Sequence, residues 1–157
     1  MGLPIREPRR GQPSLTWSFG RRSKTITMID AIRANAEMLI KQSRPICGID
    51  FGYTRESVQW LEGFIERLRQ SGQFDGVGKG TLVSVFGSFL GECIVRCYGG
   101  KWTQRDGTWC IAFGDEDQHT AFPFAKVEKQ IENGLEDGIA GLFNAIPAIW
   151  PIPPKAS

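Results

Sequence analysis

The chain has little of what metal and hydrolytic sites are built from. Among its 157 residues there is one histidine, His119, and none of the four cysteines forms a C-x-x-C pair. Structural zinc sites usually start from such closely spaced ligands, and no nucleophile motif surrounds His119. The sequence therefore predicts no metal and no cofactor, and it favours a protein that is not an enzyme. We expect Cys47, Cys93, Cys97 and Cys110 to be reduced, buried thiols of a cytosolic protein.

Targeting and phosphate-binding signals are also missing. No run of about 18 apolar residues occurs, so we expect no membrane-spanning helix. Arg21-Arg22 is not followed by an apolar segment, which argues against twin-arginine export and favours a cytoplasmic location. The glycine-rich segment 75–80 lacks a Ser or Thr after Lys79, so it is predicted to be a connector and not a phosphate loop.

Charge is unevenly distributed along the chain, whose formal net charge is +2. Six basic residues but only one acidic residue fall within positions 1–24, and the remainder is mildly acidic. Such a body lacks the basic field that non-specific binding to nucleic acid requires, so nucleic acid is an unlikely partner. The composition predicts a disordered basic leader over 1–25, a single domain over 26–147 and an extended proline-rich tail over 148–157.

Apolar residues recur at helical spacing in five segments. The predicted helices are 26–41, 54–72, 81–98, 123–133 and 135–146. Pro45 should end the first helix and Thr54 should cap the second. The third is apolar nearly all round, which is typical of a central helix, and Gly87 and Gly91 leave room on one of its faces for a close neighbour.

Two strand-like runs flank Asp106-Gly107, a dipeptide typical of a two-residue hairpin. His119 to Phe122 can supply a third strand. The sequence thus predicts an α+β fold in a single domain, with about five helices packed on a small antiparallel sheet of two to three strands.

Three segments, 87–92 (G-S-F-L-G-E), 99–102 (G-G-K-W) and 123–129 (P-F-A-K-V-E-K), resemble a family of small uncharacterised bacterial proteins. That family combines a G-x-x-L-G-E helix, a G-G-K-W hairpin and a P-F-x-K-V-x-K helix in a domain of unknown function. The resemblance covers about residues 50–147. It implies a shared fold, a bacterial origin and a cytosolic location, and it implies no activity.

Glu92 and Arg96 stand four residues apart on the central helix, and two interpretations of them stay open. They can form a buried or half-buried ion pair that fixes the orientation of the helix. Alternatively, Glu92, Arg96, Trp102 and Lys126 can line a cleft in which the carboxylate acts as a base and the arginine holds an anion. An open pocket would favour the second interpretation, and a closed core the first.

Trp60 lies off the apolar stripe of its helix, and Trp150 lies beside the proline-rich tail, so both are candidates for a protein interface. We expect a cytosolic protein-interaction module of an inhibitor or immunity-like type, whose partner is another protein. The alternative is a small-molecule-binding protein or enzyme that uses the Glu92/Arg96 cleft. The oligomeric state is left open.

Overall fold

Helices surround a short antiparallel sheet in the computed structural model, which describes residues 26–74, 78–114 and 119–150. In chain order the elements are α1 (Met28–Cys47), α2 (Arg55–Gln70), α3 (Lys79–Tyr98), β1 (Lys101–Arg105), β2 (Thr108–Phe113), β3 (His119–Ala121), α4 (Pro123–Asn133), a 3-10 turn (Leu135–Asp137) and α5 (Ile139–Ile149). Five helices on three strands in one unit confirm the predicted α+β fold class. The predicted leader 1–25 lies outside the described residues.

The first helix begins where its sequence provides a capping box. The Thr27 hydroxyl accepts from the Asp30 backbone N–H at 3.0 Å, and the Asp30 carboxylate accepts from the Thr27 N–H at 3.2 Å. The prediction that Pro45 ends this helix is wrong, because α1 continues to Cys47. A proline in the last turn removes only one backbone hydrogen bond, and Gly48 ends the helix in the left-handed conformation with φ 72°.

The cap of α2 agrees with the prediction. Thr54 Oγ1 accepts from the Ser57 N–H at 3.1 Å, and the Thr54 hydroxyl donates to Ser57 Oγ at 2.9 Å. Such a cap satisfies one of the donors that the first turn of a helix leaves unpaired. Just beyond the end of α2, Gly72 has φ 76°, where glycine carries no steric penalty.

Helix α3 is the core of the fold, as its all-round apolar sequence predicts. Ten consecutive residues, Val85–Ile94, are buried. A side chain at Gly87 would overlap the ring of Phe124, and one at Gly91 would overlap the ring of Trp102. The predicted close approach is therefore confirmed, and the two glycines let α4 and β1 pack directly against the α3 backbone.

By length and mean hydropathy, α3 is also the one helix of the described residues that could cross a bilayer. The sequence predicts no membrane-spanning helix because it contains no long uninterrupted run of apolar residues. Polar residues interrupt the apolar sequence of α3, so that criterion does not detect this helix. In the fold, 56% of its most apolar window is buried against other elements.

The sheet has the strand order β1-β2-β3, and both pairings are antiparallel. In the hairpin turn, Asp106 and Gly107 have φ 52° and 78°, the two positive values of a type I′ turn. The hairpin and the third strand are thus confirmed. The register pairs Trp102 with Ile111, which directs the indole towards α3.

The C-terminal region departs from prediction at both ends of its helix. Leu135–Asp137 form a 3-10 turn, and Gly138, in an extended conformation, separates it from α5. The predicted tail from 148 is wrong for residues 148 and 149, because α5 continues past Pro147. A proline so close to the end removes one hydrogen bond, and the Trp150 N–H still reaches the Ile146 carbonyl at 2.7 Å. Residues 151–157 lie outside the described range.

Candidate functional site

The Glu92 carboxylate, 1% exposed, is held at the junction of three elements. Its Oε2 accepts a hydrogen bond from the Trp102 indole N–H of β1 at 2.8 Å. Its Oε1 accepts from Arg96 Nε, one turn further along α3, at 3.1 Å, and Arg33 Nε of α1 lies 3.9 Å from the same oxygen. One buried carboxylate therefore ties α1, α3 and the hairpin together.

Arg96 extends this cluster to the protein surface. Its side chain is 46% exposed, and the guanidinium carbon lies 4.0 Å from the centroid of the Tyr53 ring, within the range of a cation–π contact. The Tyr53 hydroxyl donates to Glu37 of α1 at 2.5 Å. Partial burial and the bond to Glu37 raise the pKa of Tyr53 above its ordinary value, so this hydroxyl stays protonated.

The cluster fits a role in orienting helices better than a role in catalysis. Both carboxylate oxygens of Glu92 are engaged, and the group is closed off from solvent. A substrate would have to displace the Trp102 indole or the Arg96 guanidinium to reach it. Of the two interpretations of the pair, the geometry favours the structural ion pair, in which the Glu92 carboxylate is buried and Arg96 is half-exposed.

The structure does not bring Lys126 into this cluster. Its Nζ lies 3.5 Å from Asp137 Oδ1, and the side chain lines a surface depression with Ala125 and Lys129 on the α5 side of α4. The predicted four-residue cleft is corrected to three residues, because Lys126 falls on a face of α4 other than the one that packs on α3. A hydrogen bond from Asn133, together with Lys126, lowers the pKa of Asp137 below its usual value.

Trp60 contributes to an apolar groove of about 350 Å³ between α1, α2 and α3, hereafter the α1–α3 groove. It is lined by Met38, Leu39, Gln42, Ser43, Ile46, Trp60, Phe64, Thr81, Leu82, Val85 and Phe86. The Trp60 ring stacks on Phe64 with centroids 5.2 Å apart and meets Phe51 edge-on at 5.4 Å. On the α1 side, Met38 is 41% and Ile46 is 70% exposed. Large apolar side chains thus remain in contact with solvent along this groove.

Trp150 packs back onto its own chain. Its ring lies 5.3 Å from the His119 imidazole and approaches Gly114 at the end of β2. The side chain is half-buried beside the core and helps to line a small cavity of about 40 Å³. Of the two tryptophans predicted for an interface, only Trp60 borders an extended apolar groove.

None of the four cysteines forms a disulfide, and their burial differs from the prediction. Cys93 and Cys110 are buried, whereas Cys47 is half-buried and Cys97 is exposed. The last turns of α1 and α3, which carry these two, reach the surface. Burial raises the pKa of the Cys93 thiol well above its ordinary value. Within the ranges that the structure describes, no cluster of His, Cys, Asp or Glu could hold a metal ion.

A second buried polar contact was not foreseen from the sequence. Gln130 of α4 is fully buried; its amide oxygen accepts from the Ile139 N–H at 3.0 Å, and its amide nitrogen donates to the Glu62 carbonyl at 2.9 Å. Glu62 Oε1 accepts from the Ala140 N–H at 3.0 Å. Together they cap α5, whose own N-cap, Gly138, has no side chain. In the sequence, the one signal of this contact is that Gly138, at the N-cap of α5, has no side chain to cap the helix. That signal does not say which distant residues accept hydrogen bonds from the first N–H groups of α5.

Comparison of the chain with protein-family models, with curated proteins and with solved structures returned no match. The resemblance to the bacterial family of unknown function stays a prediction.

Proposed function

We propose that this protein is a protein-interaction module that binds its partner at the α1–α3 groove. The observation that carries the proposal is the exposure of Met38 and Ile46 beside the half-buried rings of Trp60 and Phe64. Contiguous exposed apolar surface with an aromatic anchor at its centre is typical of protein interfaces. Bacterial origin and a cytosolic location are part of the proposal and rest on the sequence resemblance; a role as an inhibitor or immunity-like protein rests on analogy.

The alternative, a ligand site at Glu92 and Arg96, has less support. The Glu92 carboxylate already accepts hydrogen bonds from Trp102 and Arg96, and it is closed off from solvent. Burial of a paired carboxylate needs no ligand to explain it. The α1–α3 groove, by contrast, exposes apolar surface that no described residue covers.

The proposal is tested by affinity capture from a lysate of the source organism with the full chain as bait. The test variant is Met38→Ser/Ile46→Ser, and the control is Leu135→Ser/Ile149→Ser. All four residues are large, apolar and at least 41% exposed, and only the first pair lines the groove. Circular dichroism melts establish that both variants fold like the wild-type chain.

We expect the wild-type chain and the control to retain the same proteins, and the groove variant to lose at least about nine-tenths of them, as expected when interface anchors are truncated. Equal retention by all three baits would place the interface elsewhere and refute the proposal. Capture that instead depends on Arg96, tested with Arg96→Ala, would place the protein interface at that surface and would also refute the proposal.

A further inference from the structure

Two cations flank the α1–α3 groove. Lys41, on α1, lines a neighbouring depression that shares Met38 and Gln42 with the groove. Arg67, on α2, places its guanidinium carbon 5.9 Å from the Trp60 centroid and 5.8 Å from the Phe64 centroid. The groove therefore has a positive charge on each of two of its helical walls.

Neither cation forms an ion pair within 4.0 Å in the part of the chain that the structure describes. The ion pairs found there involve Arg33, Arg69, Lys79, Arg96 and Lys126, and neither Lys41 nor Arg67 is among them. Glu37 lines the depression beside Lys41, and its Oε2 accepts from the Tyr53 hydroxyl. A partner with carboxylates on both sides of its apolar face would complement these charges.

The shape of the groove indicates the secondary structure of the partner. Met38, Gln42 and Ile46 follow one another at intervals of four, so they form a ridge along α1 about 12 Å long, at about 1.5 Å per residue. A ridge of this spacing packs into the groove between the corresponding ridges of another helix. An extended segment would find no strand edge to pair with here, because all three walls are helices.

We propose that the α1–α3 groove binds an amphipathic helix of another protein, with apolar side chains at i, i+4 and i+7 in the groove and carboxylates on both flanks that meet Lys41 and Arg67. This inference rests on the proposed function and specifies the class of partner. An apolar contact area with charged flanks gives affinity through burial and selectivity through charge. A second copy of this chain and a non-helical partner are the alternatives that the experiment separates.

The probes are two designed peptides of about 18 residues, long enough for five helical turns. They share leucines at i, i+4, i+7 and i+11 and differ only in their flanking residues, Glu in one and Lys in the other. Binding of fluorescein-labelled peptide to the full chain is followed by anisotropy. We expect the Glu-flanked peptide to bind at least about tenfold more tightly, with the difference shrinking in ~0.5 M salt because exposed charges are screened.

Three variants locate the interaction. Lys41→Glu/Arg67→Glu should reverse the preference between the peptides, whereas Arg55→Glu/Lys129→Glu, which changes the net charge equally at exposed sites outside the groove, should preserve it. Met38→Ser/Ile46→Ser should abolish binding of both peptides. Chemical shifts of the Trp60 indole, assigned by its loss in Trp60→Phe, should change on binding of the Glu-flanked peptide.

Failure of this inference is distinguishable from failure of the proposed function. If lysate capture needs Met38 and Ile46 but the two peptides bind equally or not at all, the function stands and the acidic helical partner is refuted. If light scattering shows a concentration-dependent dimer that Met38→Ser/Ile46→Ser abolishes, the occupant is a second copy and the inference is refuted. If the charge-reversed variant keeps the wild-type preference, Lys41 and Arg67 do not select the partner.

Discussion

Replacing Glu92 by glutamine tests whether the buried carboxylate holds three elements together. Glutamine keeps the size of the side chain, and its amide oxygen can still accept from the Trp102 indole. The amide NH₂ then faces Arg96, so a donor meets a donor where a charge-assisted hydrogen bond of 3.1 Å existed. A hydrogen bond to a charged group contributes about 1.5–3 kcal/mol, and Arg96, 46% exposed, recovers part of this from water. We expect a loss of about 1–2 kcal/mol in the free energy of unfolding.

Glu92→Ala should cost more, because it also removes the acceptor of the Trp102 indole. Trp102 is only 8% exposed, so water has little access to its N–H. An unsatisfied buried donor costs about 1–3 kcal/mol, which brings the expected loss to about 3–4 kcal/mol together with the lost ion pair. Arg96→Ala should cost about 1 kcal/mol, since the cation it removes is half-exposed and Arg33 remains 3.9 Å from the carboxylate.

Urea unfolding followed by circular dichroism at 222 nm measures these losses. The double variant Glu92→Ala/Arg96→Ala completes a thermodynamic cycle, in which we expect the two losses to be non-additive by about 1 kcal/mol. Glu128→Gln, on an exposed position of α4, is the control and should change stability by less than about 0.5 kcal/mol. A Glu92→Gln protein as stable as that control would show that the carboxylate is solvated in solution, and the orienting role would be refuted.

Three further outcomes are expected. Gly91→Ala should destabilise the protein by about 1–3 kcal/mol, because the added methyl group would overlap the Trp102 ring. Gly141→Ala, with no atom within 4 Å of the added methyl group, should instead stabilise the protein by about 0.5–1 kcal/mol through helix propensity. Equal melting temperatures of the two variants would contradict this packing. In the native protein, Cys97 should react with a maleimide far faster than Cys93, whose pKa is raised by burial. Denatured, unreduced protein should show four titratable thiols and no bound zinc. Fewer than four thiols would indicate a disulfide or a bound metal. Deleting residues 1–25 should leave the melting temperature unchanged, and a drop of several degrees would show that this segment is docked.

The parts of the fold that sequence reasoning predicted are those specified by local rules. Helix α3 and the hairpin follow from apolar periodicity and from Asp106-Gly107, whose positive φ values only a few residue types adopt easily. The Thr54 cap follows equally from neighbouring residues. The errors at Pro45 and Pro147 have a common cause: a proline rules out one hydrogen bond, and in a last turn the packing of the remaining residues outweighs that loss.

The sites were only partly predictable because they depend on which distant residues meet. The pairing of Glu92 with Arg96 is local on α3 and could be anticipated, but Arg33 comes from a helix about 60 residues earlier. Lys126 belongs to the P-F-x-K-V-x-K motif, but it stands two residues after Phe124, which packs on α3, so it lies on another face of α4, beside Asp137. The groove beside Trp60 is formed by three helices, and no single stretch of sequence contains all the residues that line it.

Helix α1 contributes both to the Glu92 cluster, which stabilises the fold, and to the α1–α3 groove, where we propose that the partner binds. Its first half brings Arg33 to the Glu92 carboxylate near the end of α3, and its second half lines the α1–α3 groove beside the first turn of α3. The position of Met38 and Ile46 relative to Trp60 therefore depends on how firmly the other end of α1 is held. A Glu92→Gln protein that remains folded should bind the Glu-flanked peptide more weakly although it changes no groove residue, since α1 is then less restrained. Restoration of the affinity by conditions that stabilise the fold would separate this indirect effect from a direct contact, because a lost contact would not be recovered.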